Sequence, residues 1–270
     1  MEKQVENVIV NNPELIENNE FQELYCKLHD TSYSRDLTDV LMKAGIDPIP
    51  YFTKIPPYCC YESTLLDNVK LNPECVKIGE YAFFNSTVAT IPLEHIYDIG
   101  TKAFCGSSIE NVKIDTHCIL SRHSFADCVL LKTVSFSDDI TVLWGCFENC
   151  ISLTDVHFDK KCSLEVNSFS GCTQLQNINL ENCVGILDNA LRGTAVEKVT
   201  LGEECKFVGS NVFAECKKLK QITLLNKNVQ LDAMSFWSDN TPVIVKCYKG
   251  SYAHEQLDKM NNPFIYIEFI

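Results

Sequence analysis

The stretch Phe125-Ala-Asp-Cys128-Val-Leu-Leu131-Lys-Thr-Val134-Ser-Phe136 decides the reading of this chain, because its pattern returns along most of the 270 residues. Large apolar residues recur at Phe83, Phe104, Phe125, Phe147, Phe169, Leu191, Phe213 and Phe236, separated by 21, 21, 22, 22, 22, 22 and 23 residues. A period that regular is the signature of a repeat protein. Five residues before each stands an aliphatic residue: Ile78, Ile99, Leu120, Val142, Leu164, Ile186, Val208 and Leu231. After each comes an alternation of apolar and polar residues like Leu131-Lys-Thr-Val134-Ser-Phe136, the period of a half-buried strand. Each repeat therefore reads as one buried turn plus one strand.

The turn comes in two lengths. Where the third residue after the large apolar position is Cys (Cys128, Cys150, Cys172, Cys216), the next leucine follows at plus six, as Leu131, Leu153, Leu175 and Leu219. Where it is Ser or Thr (Ser86, Ser107, Thr194), one residue is missing and the aliphatic arrives at plus five, as Val88, Ile109 and Val196. An earlier copy is legible at Ile55-Pro-Pro-Tyr-Cys-Cys60, with Leu66, Val69 and Leu71 behind it. The count is about nine repeats.

A chain that is 46% hydrophobic over this length could fold as one large domain or two. The repeat favours one elongated unit, since a solenoid extends its core by stacking. A net charge of −13 disfavours nucleic-acid phosphates and anionic membranes, and could attract a basic protein. The polar start Met1-Glu-Lys-Gln-Val-Glu-Asn does not resemble a secretory signal, and no long apolar run predicts a spanning helix. These features give a cytoplasmic expectation. Cys75, Cys118, Cys162, Cys183 and Cys205 fall seven or eight residues before the large apolar positions, where each would begin a second short strand. Periodic thiols facing a core behave as small hydrophobes, as suits a reducing compartment.

Residues 1 to about 50 stand outside the repeat. Asn12-Pro13 resembles a helix start, Asn19 can cap a helix through Leu28, and a further helix is expected from Ser34 or Arg35 to Ala44 with Gly45 as its stop. At the other end Ser251 can cap a short helix through Ala253, Leu257 and Met260, before the strand candidate Phe264-Ile-Tyr-Ile-Glu-Phe-Ile270. Both ends would shield the terminal coils from water.

Ile78-Gly-Glu-Tyr-Ala-Phe83, the stretch from Phe125 quoted above and Phe213-Ala-Glu-Cys216-Lys-Lys-Leu219-Lys-Gln-Ile222 resemble the BspA-type leucine-rich repeats. Tyr248-Lys-Gly-Ser-Tyr-Ala-His-Glu255 is similar to that family's closing segment, so the resemblance spans about residues 53–270. It implies an α/β leucine-rich-repeat solenoid of about nine 21–23-residue coils with parallel strands and short helical turns. The expected divisions are a helical N-terminal cap (1–52), the solenoid (53–248) and a helix-strand C-terminal cap (249–270). The family includes surface adhesins, protist proteins and phage-encoded copies. The leading helices and Ala44-Gly-Ile-Asp-Pro48 look more like its phage or intracellular members, which makes a virion-associated location the alternative to a cytoplasmic one.

Chemistry-bearing constellations are sparse. The six histidines are scattered. On one strand His157 shares a face with Asp155, which reads as a solvated pair because no nucleophile stands beside it. The thiols show no matched Cys-x2-Cys pairs, so no zinc site is expected, and no glycine loop suggests a phosphate or other cofactor site. What remains is the outward strand stripe: Asn68, Lys70, Thr90 or its neighbour Ala89, Glu110 or Asn111, Lys113, Thr133, Ser135, Asp155, His157, Asn177, Asn179, Lys198, Thr200, Gln221 and Thr223. Within it Lys70, Lys113, Asp155, His157, Asn177, Asn179 and Lys198 are the candidate partner-binding residues. The reading is a non-enzymatic module that binds a protein through this stripe, without cofactor, nucleic acid or membrane; the alternative is a component of a larger assembly such as a phage particle. The thiols carry a direct test. Counted under non-reducing conditions, most of the fifteen should react only after denaturant is added, with no stoichiometric zinc; several disulfides would contradict the core assignment.

Overall fold

Repeats of this length can bury their apolar residues only against one another, and the architecture follows from that stacking. The computed structural model describes residues 34–43, 45–236 and 241–270. The helices expected near Asn12-Pro13 and from Asn19 to Leu28 lie outside these residues. Helix α1 (Ser34–Lys43) comes first. At Gly45, with φ of +81°, the Gly45 N–H donates to Met42 O and the Ile46 N–H to Leu41 O, both at 2.9 Å. These paired bonds close the helix end as a Schellman turn. Val40 and Leu41 are buried, and Thr38 Oγ1 lies 3.4 Å from Cys59 Sγ, so α1 rests on the first coil.

The strands then follow in the order β1 (Lys77–Ile78), β2 (Asp98–Ile99), β3 (Asn111–Ile114), β4 (Ile119–Leu120), β5 (Thr133–Phe136), β6 (Ile140–Val142), β7 (Asp155–Phe158) and β8 (Cys162–Leu164). They continue with β9 (Asn177–Ile178), β10 (Cys183–Ile186), β11 (Lys198–Leu201), β12 (Phe207–Val208), β13 (Gln221–Leu224), β14 (Gln230–Leu231), β15 (Val243–Cys247), helix α2 (Tyr252–Met260) and β16 (Ile265–Phe269). Short strands ahead of each turn form one eight-stranded parallel sheet, β1-β2-β4-β6-β8-β10-β12-β14. The longer strands after each turn form two four-stranded parallel sheets, β3-β5-β7-β9 and β11-β13-β15-β16. Cys162 and Cys183 do begin short strands, whereas Cys75, Cys118 and Cys205 lie just ahead of theirs.

The turn between the two strands corrects one detail of the expectation, since it is not helical. Residues two before and two after the large apolar position take left-handed backbone in coil after coil: Tyr81 and Asn85, Lys102 and Gly106, His123 and Asp127, Gly145 and Asn149, Asn167 and Gly171, Asn189 and Gly193, Asn211 and Glu215. The alternation breaks helical geometry and aims every second N–H along the solenoid axis. Phe83 N–H therefore donates to Ala103 O at 2.7 Å, Phe125 N–H to Cys146 O at 2.9 Å and Phe147 N–H to Ser168 O at 2.8 Å. The turns thus form a third intercoil ladder. Left-handed backbone costs an ordinary residue about 1–2 kcal/mol and Asn or Gly less, which accounts for their frequency at these positions.

Inside, the large apolar positions line up as a column. Phe83, Phe104, Phe125, Phe147 and Phe169 stack with successive ring centroids 5.1, 5.0, 5.3 and 5.2 Å apart and nearly parallel planes. Leu191 interrupts the column before Phe213 and Phe236 resume it at 6.1 Å. Ala82, Ala103 and Ala190 beside them are fully buried, the small residues that close stacking needs.

The two turn lengths have a structural counterpart. In long turns the thiol reaches back one coil: Cys128 Sγ–H donates to Phe104 O at 3.0 Å, and Cys150, Cys172 and Cys216 donate to Phe125, Phe147 and Leu191 O at 3.1 Å. In short turns Ser86 and Thr194 hydroxyls donate instead to the carbonyl of their own coil, Phe83 O at 2.8 Å and Leu191 O at 2.9 Å. Each side chain is the donor its turn geometry requires. Length also controls the long-strand sheet. Where a short turn follows a long one, pairing falls to the isolated bridge Asn68↔Thr90, or stops altogether between β9 and β11.

At the C-terminal end α2 starts at Ser251, whose hydroxyl accepts from His254 N–H at 3.2 Å. Its Gln256 side chain completes the short-strand sheet, accepting from Leu231 N–H at 2.9 Å and donating to Val229 O at 2.8 Å. β15 and β16 pair in parallel over five residues each, extending the long-strand sheet past the helix. Packing of the column sets the stability test. Phe147→Ala, at a fully buried site between two stacked rings and against the edge of Phe136, should cost about 3–5 kcal/mol in denaturant unfolding. Lys132→Ala, which removes only an exposed pair with Glu110, should cost no more than about 1 kcal/mol. Equal small effects would contradict the column's role.

Candidate functional site

Alternation along the long strands turns Val112, Ile114, Val134, Phe136, Val156 and Phe158 inward and leaves the intervening side chains on the outer face. Parallel register brings equivalent outer residues side by side: Asn111, Thr133, Asp155 and Asn177 in one row, Lys113, Ser135 and His157 in the next. Much of the first row bonds to itself. Thr133 Oγ1 donates to Asn111 Oδ1 at 2.7 Å and Asn177 Nδ2 to Asp155 Oδ1 at 2.6 Å, with Thr90 Oγ1 donating to Asn68 Oδ1 at 2.5 Å further back.

The outer face is interrupted between β9 and β11. β9 is only two residues long, and the Asn179 side chain takes over as the next rung: its Oδ1 accepts from Phe158 N–H and its Nδ2 donates to Phe158 O, both at 2.8 Å. Past that point no backbone hydrogen bond joins residues 176–182 to 196–202. The chains close up again where Gly202 lies against the Glu181 carbonyl, an approach that leaves no room for a Cβ. A shallow depression of about 460 Å³ results, lined among others by Asp155, His157, Asn177, Glu181 and Lys198.

Five of the seven candidate residues thus border one depression, while Lys70 and Lys113 do not. Lys70 is exposed at the N-terminal end of the face, and Lys113 is held by Asp115 at 2.6 Å. Asn179 borders the depression but does not project into solvent as its place in the stripe suggested, because the truncated β9 draws its amide onto the backbone of Phe158. His157 likewise pairs with Asp159, Nε2 to Oδ1 at 2.9 Å, and not with Asp155. Lys198 makes no ion pair shown among the described residues, since its neighbour Glu197 is taken by Lys220 at 2.7 Å. Glu181 and Gln176 complete the rim and were not singled out from the sequence. The change from the long turn at Cys172 to the short one at Thr194 is the sequence signal that marks the break.

Elsewhere the surface offers less. A larger depression of about 750 Å³ runs along the short-strand side around Gly79, Gly100 and Ile119; of its charged residues Lys54, Lys77, Glu80 and Asp98, Lys77 and Asp98 are bonded to each other at 2.6 Å. Among the described residues, no three His, Cys, Asp or Glu side chains are placed to hold a metal ion. Every described cysteine is free and buried. Burial pushes the thiols of Cys105, Cys118, Cys146 and Cys205 up to about 12, which keeps them protonated and poor nucleophiles at neutral pH.

At the centre of the face, the Thr154 hydroxyl and the Asn177 amide hold the Asp155 carboxyl below its ordinary pKa. A depressed folded pKa adds stability that is present above the unfolded value and lost as pH falls through the folded one. Asn177→Ala should therefore move the Asp155 titration upward toward the ordinary carboxylate value in carboxyl-carbon NMR. An unchanged titration would show that this rung does not form in solution.

Comparison with known proteins agrees with this geometry. The model of the BspA type leucine rich repeat region matches in six copies over residues 53–164 and 144–246. The solved leucine-rich repeat protein from Bacteroides ovatus ATCC 8483 is 19% identical, with a TM-score of 0.59 over 73% of this chain and 53% of that one, so the chain spans about half that relative's length and shares its fold. A leucine rich cell surface protein from Faecalibacterium prausnitzii A2-165 aligns at 15% identity and a TM-score of 0.41, over 82% of this chain and 84% of that one. No curated protein sequence matches the chain. With the family model covering most of the sequence and the coils stacked as parallel strands, the chain belongs to the BspA-type leucine-rich repeat family.

Proposed function

We propose that the chain is a non-enzymatic interaction module that holds a protein partner at the centre of its long-strand face, over the break between β9 and β11. The carrying observation is that Asp155, His157, Asn177 and Lys198 border one depression on the sheet, beside strand edges that have no strand partner among the described residues. A partner segment lying there meets a carboxylate, an imidazole, an amide and an ammonium together with unpaired backbone groups. Such a set recognises polar segments by hydrogen bonding, and contact energy concentrates in a few central residues. Solenoids commonly bind along an extended face of this kind. The net charge of −13 favours a basic partner and speeds its approach.

The buried, unpaired thiols support residence in a reducing compartment. No helix among the described residues is long and apolar enough to cross a membrane. A second reading, as a component of a larger assembly, draws on the open strand β16 at the C-terminal end.

Capture of partner from native-host lysate on immobilised chain, identified by mass spectrometry and followed by titration of that purified partner, tests the face. The triple variant Asp155→Ala, His157→Ala, Asn177→Ala should weaken binding at least about tenfold with circular dichroism unchanged. Asn179 stays intact because it holds the backbone of Phe158. Reversal of charge at exposed Glu203 should alter mainly the association rate and its salt dependence. Undiminished binding by the triple variant would place the contact elsewhere.

A further inference from the structure

The two kinds of sheet end differently at the C-terminal side of the solenoid. The short-strand sheet is sealed beyond β14 by the amide of Gln256. The long-strand sheet ends on β16, and no described strand pairs with its outer side.

The ladder to β15 defines which backbone groups are left over. Val243 N–H donates to Phe264 O at 2.8 Å and Ile270 N–H to Cys247 O at 3.2 Å. With the register Val243↔Ile265 to Cys247↔Phe269, the alternation of a parallel pair turns the backbone groups of Tyr266 and Glu268 toward β15 and those of Ile267 and Phe269 outward, together with the carbonyl of Ile265, whose N–H donates to Asn262 O at 3.1 Å. Of the usual guards this edge carries one, the charge of Glu268. Ile265-Tyr-Ile-Glu-Phe269 has no proline, no lysine and no break in register, and Tyr266 and Phe269 are about half exposed. An open, largely apolar edge is a template for another strand.

We infer that β16 is a self-association edge, which pairs antiparallel with β16 of a second copy about a twofold axis through Ile267. Twofold symmetry makes identical strands antiparallel and joins the two four-stranded sheets into one. Centring on Ile267 sets its outward groups against their own copies, Ile265 against Phe269, and Tyr266 against Glu268 of the second copy. Centring on Glu268 instead would set two carboxylates face to face. Charge distribution favours this end for contact between copies. From residue 243 to 270 Lys246, Lys249 and Lys259 balance Glu255, Asp258 and Glu268, so the net charge of −13 is carried by the preceding residues. The edge is also stiffened: Lys246 pairs with Glu268 at 3.2 Å, and His254 packs edge-on against Phe269 with ring centroids 4.8 Å apart.

Sedimentation equilibrium of the purified full chain across the micromolar range tests the pairing, with circular dichroism as the folding control. The expected result is a monomer–dimer equilibrium that tightens with added salt, as repulsion between the acidic bodies is screened. Ile267→Pro removes an outward N–H but no bond to β15, and should raise the dimer Kd at least about tenfold. Tyr266 is exposed, so its variants keep the fold: Tyr266→Glu faces Glu268 of the second copy and should weaken the dimer, while Tyr266→Lys should maintain or tighten it. A chain that stays monomeric throughout, including one that instead takes a strand from another protein, would overturn the proposal. A dimer indifferent to Ile267→Pro, or weakened equally by both Tyr266 variants, would overturn it as well.

Discussion

Hydrogen bonds running along the solenoid axis hold this protein together, and the most demanding of them lie in the turns. A strand presents its N–H and C=O groups sideways by nature, but a turn does so only if its backbone alternates between right- and left-handed conformations. The residues flanking each large apolar position supply that alternation, as at His123 and Asp127 or Asn167 and Gly171. With the turns linked, each coil has a fixed height, and the phenylalanine column stacks at about one ring spacing per coil. Column, short-strand sheet and long-strand face all depend on this registration.

The cysteines belong to the same constraint. A turn lengthened by one residue leaves a carbonyl of the preceding coil facing the core, and burial without a donor would be costly. Cys128, Cys150 and Cys172 meet that carbonyl with a side chain small enough for the column and a weak donor at its tip. Serine and threonine do the corresponding work in the short turns. The abundance of cysteine therefore reflects packing and backbone satisfaction.

The regularity of the stack lapses in two places. At the change of turn length before Thr194 the ladder opens, Asn179 is drawn inward to repair one rung, and the depression beside it collects His157, Asp155 and Lys198. The open edge at β16 is a second lapse of the same kind, produced when helix α2 seals one sheet and leaves the other extended. In both places a strand edge has no strand partner among the described residues.

Periodicity alone determined the repeat, its two turn lengths, the buried positions from Phe83 to Phe236 and the alternation of inner and outer strand residues. Those follow from spacing, because burial in a stacked array repeats with the chain. Side-chain direction within the outer stripe did not follow from spacing. Asn177 and Asn179 are two residues apart and formally equivalent, yet one bonds to a neighbouring carboxylate and the other to a neighbouring backbone. Likewise spacing does not separate the left-handed turns from helical ones, since a short run around Ala82-Phe83 has the same composition in either geometry. Only the tertiary structure decided these points, because each depends on what the adjacent coil, some 22 residues away, offers as a hydrogen-bond partner.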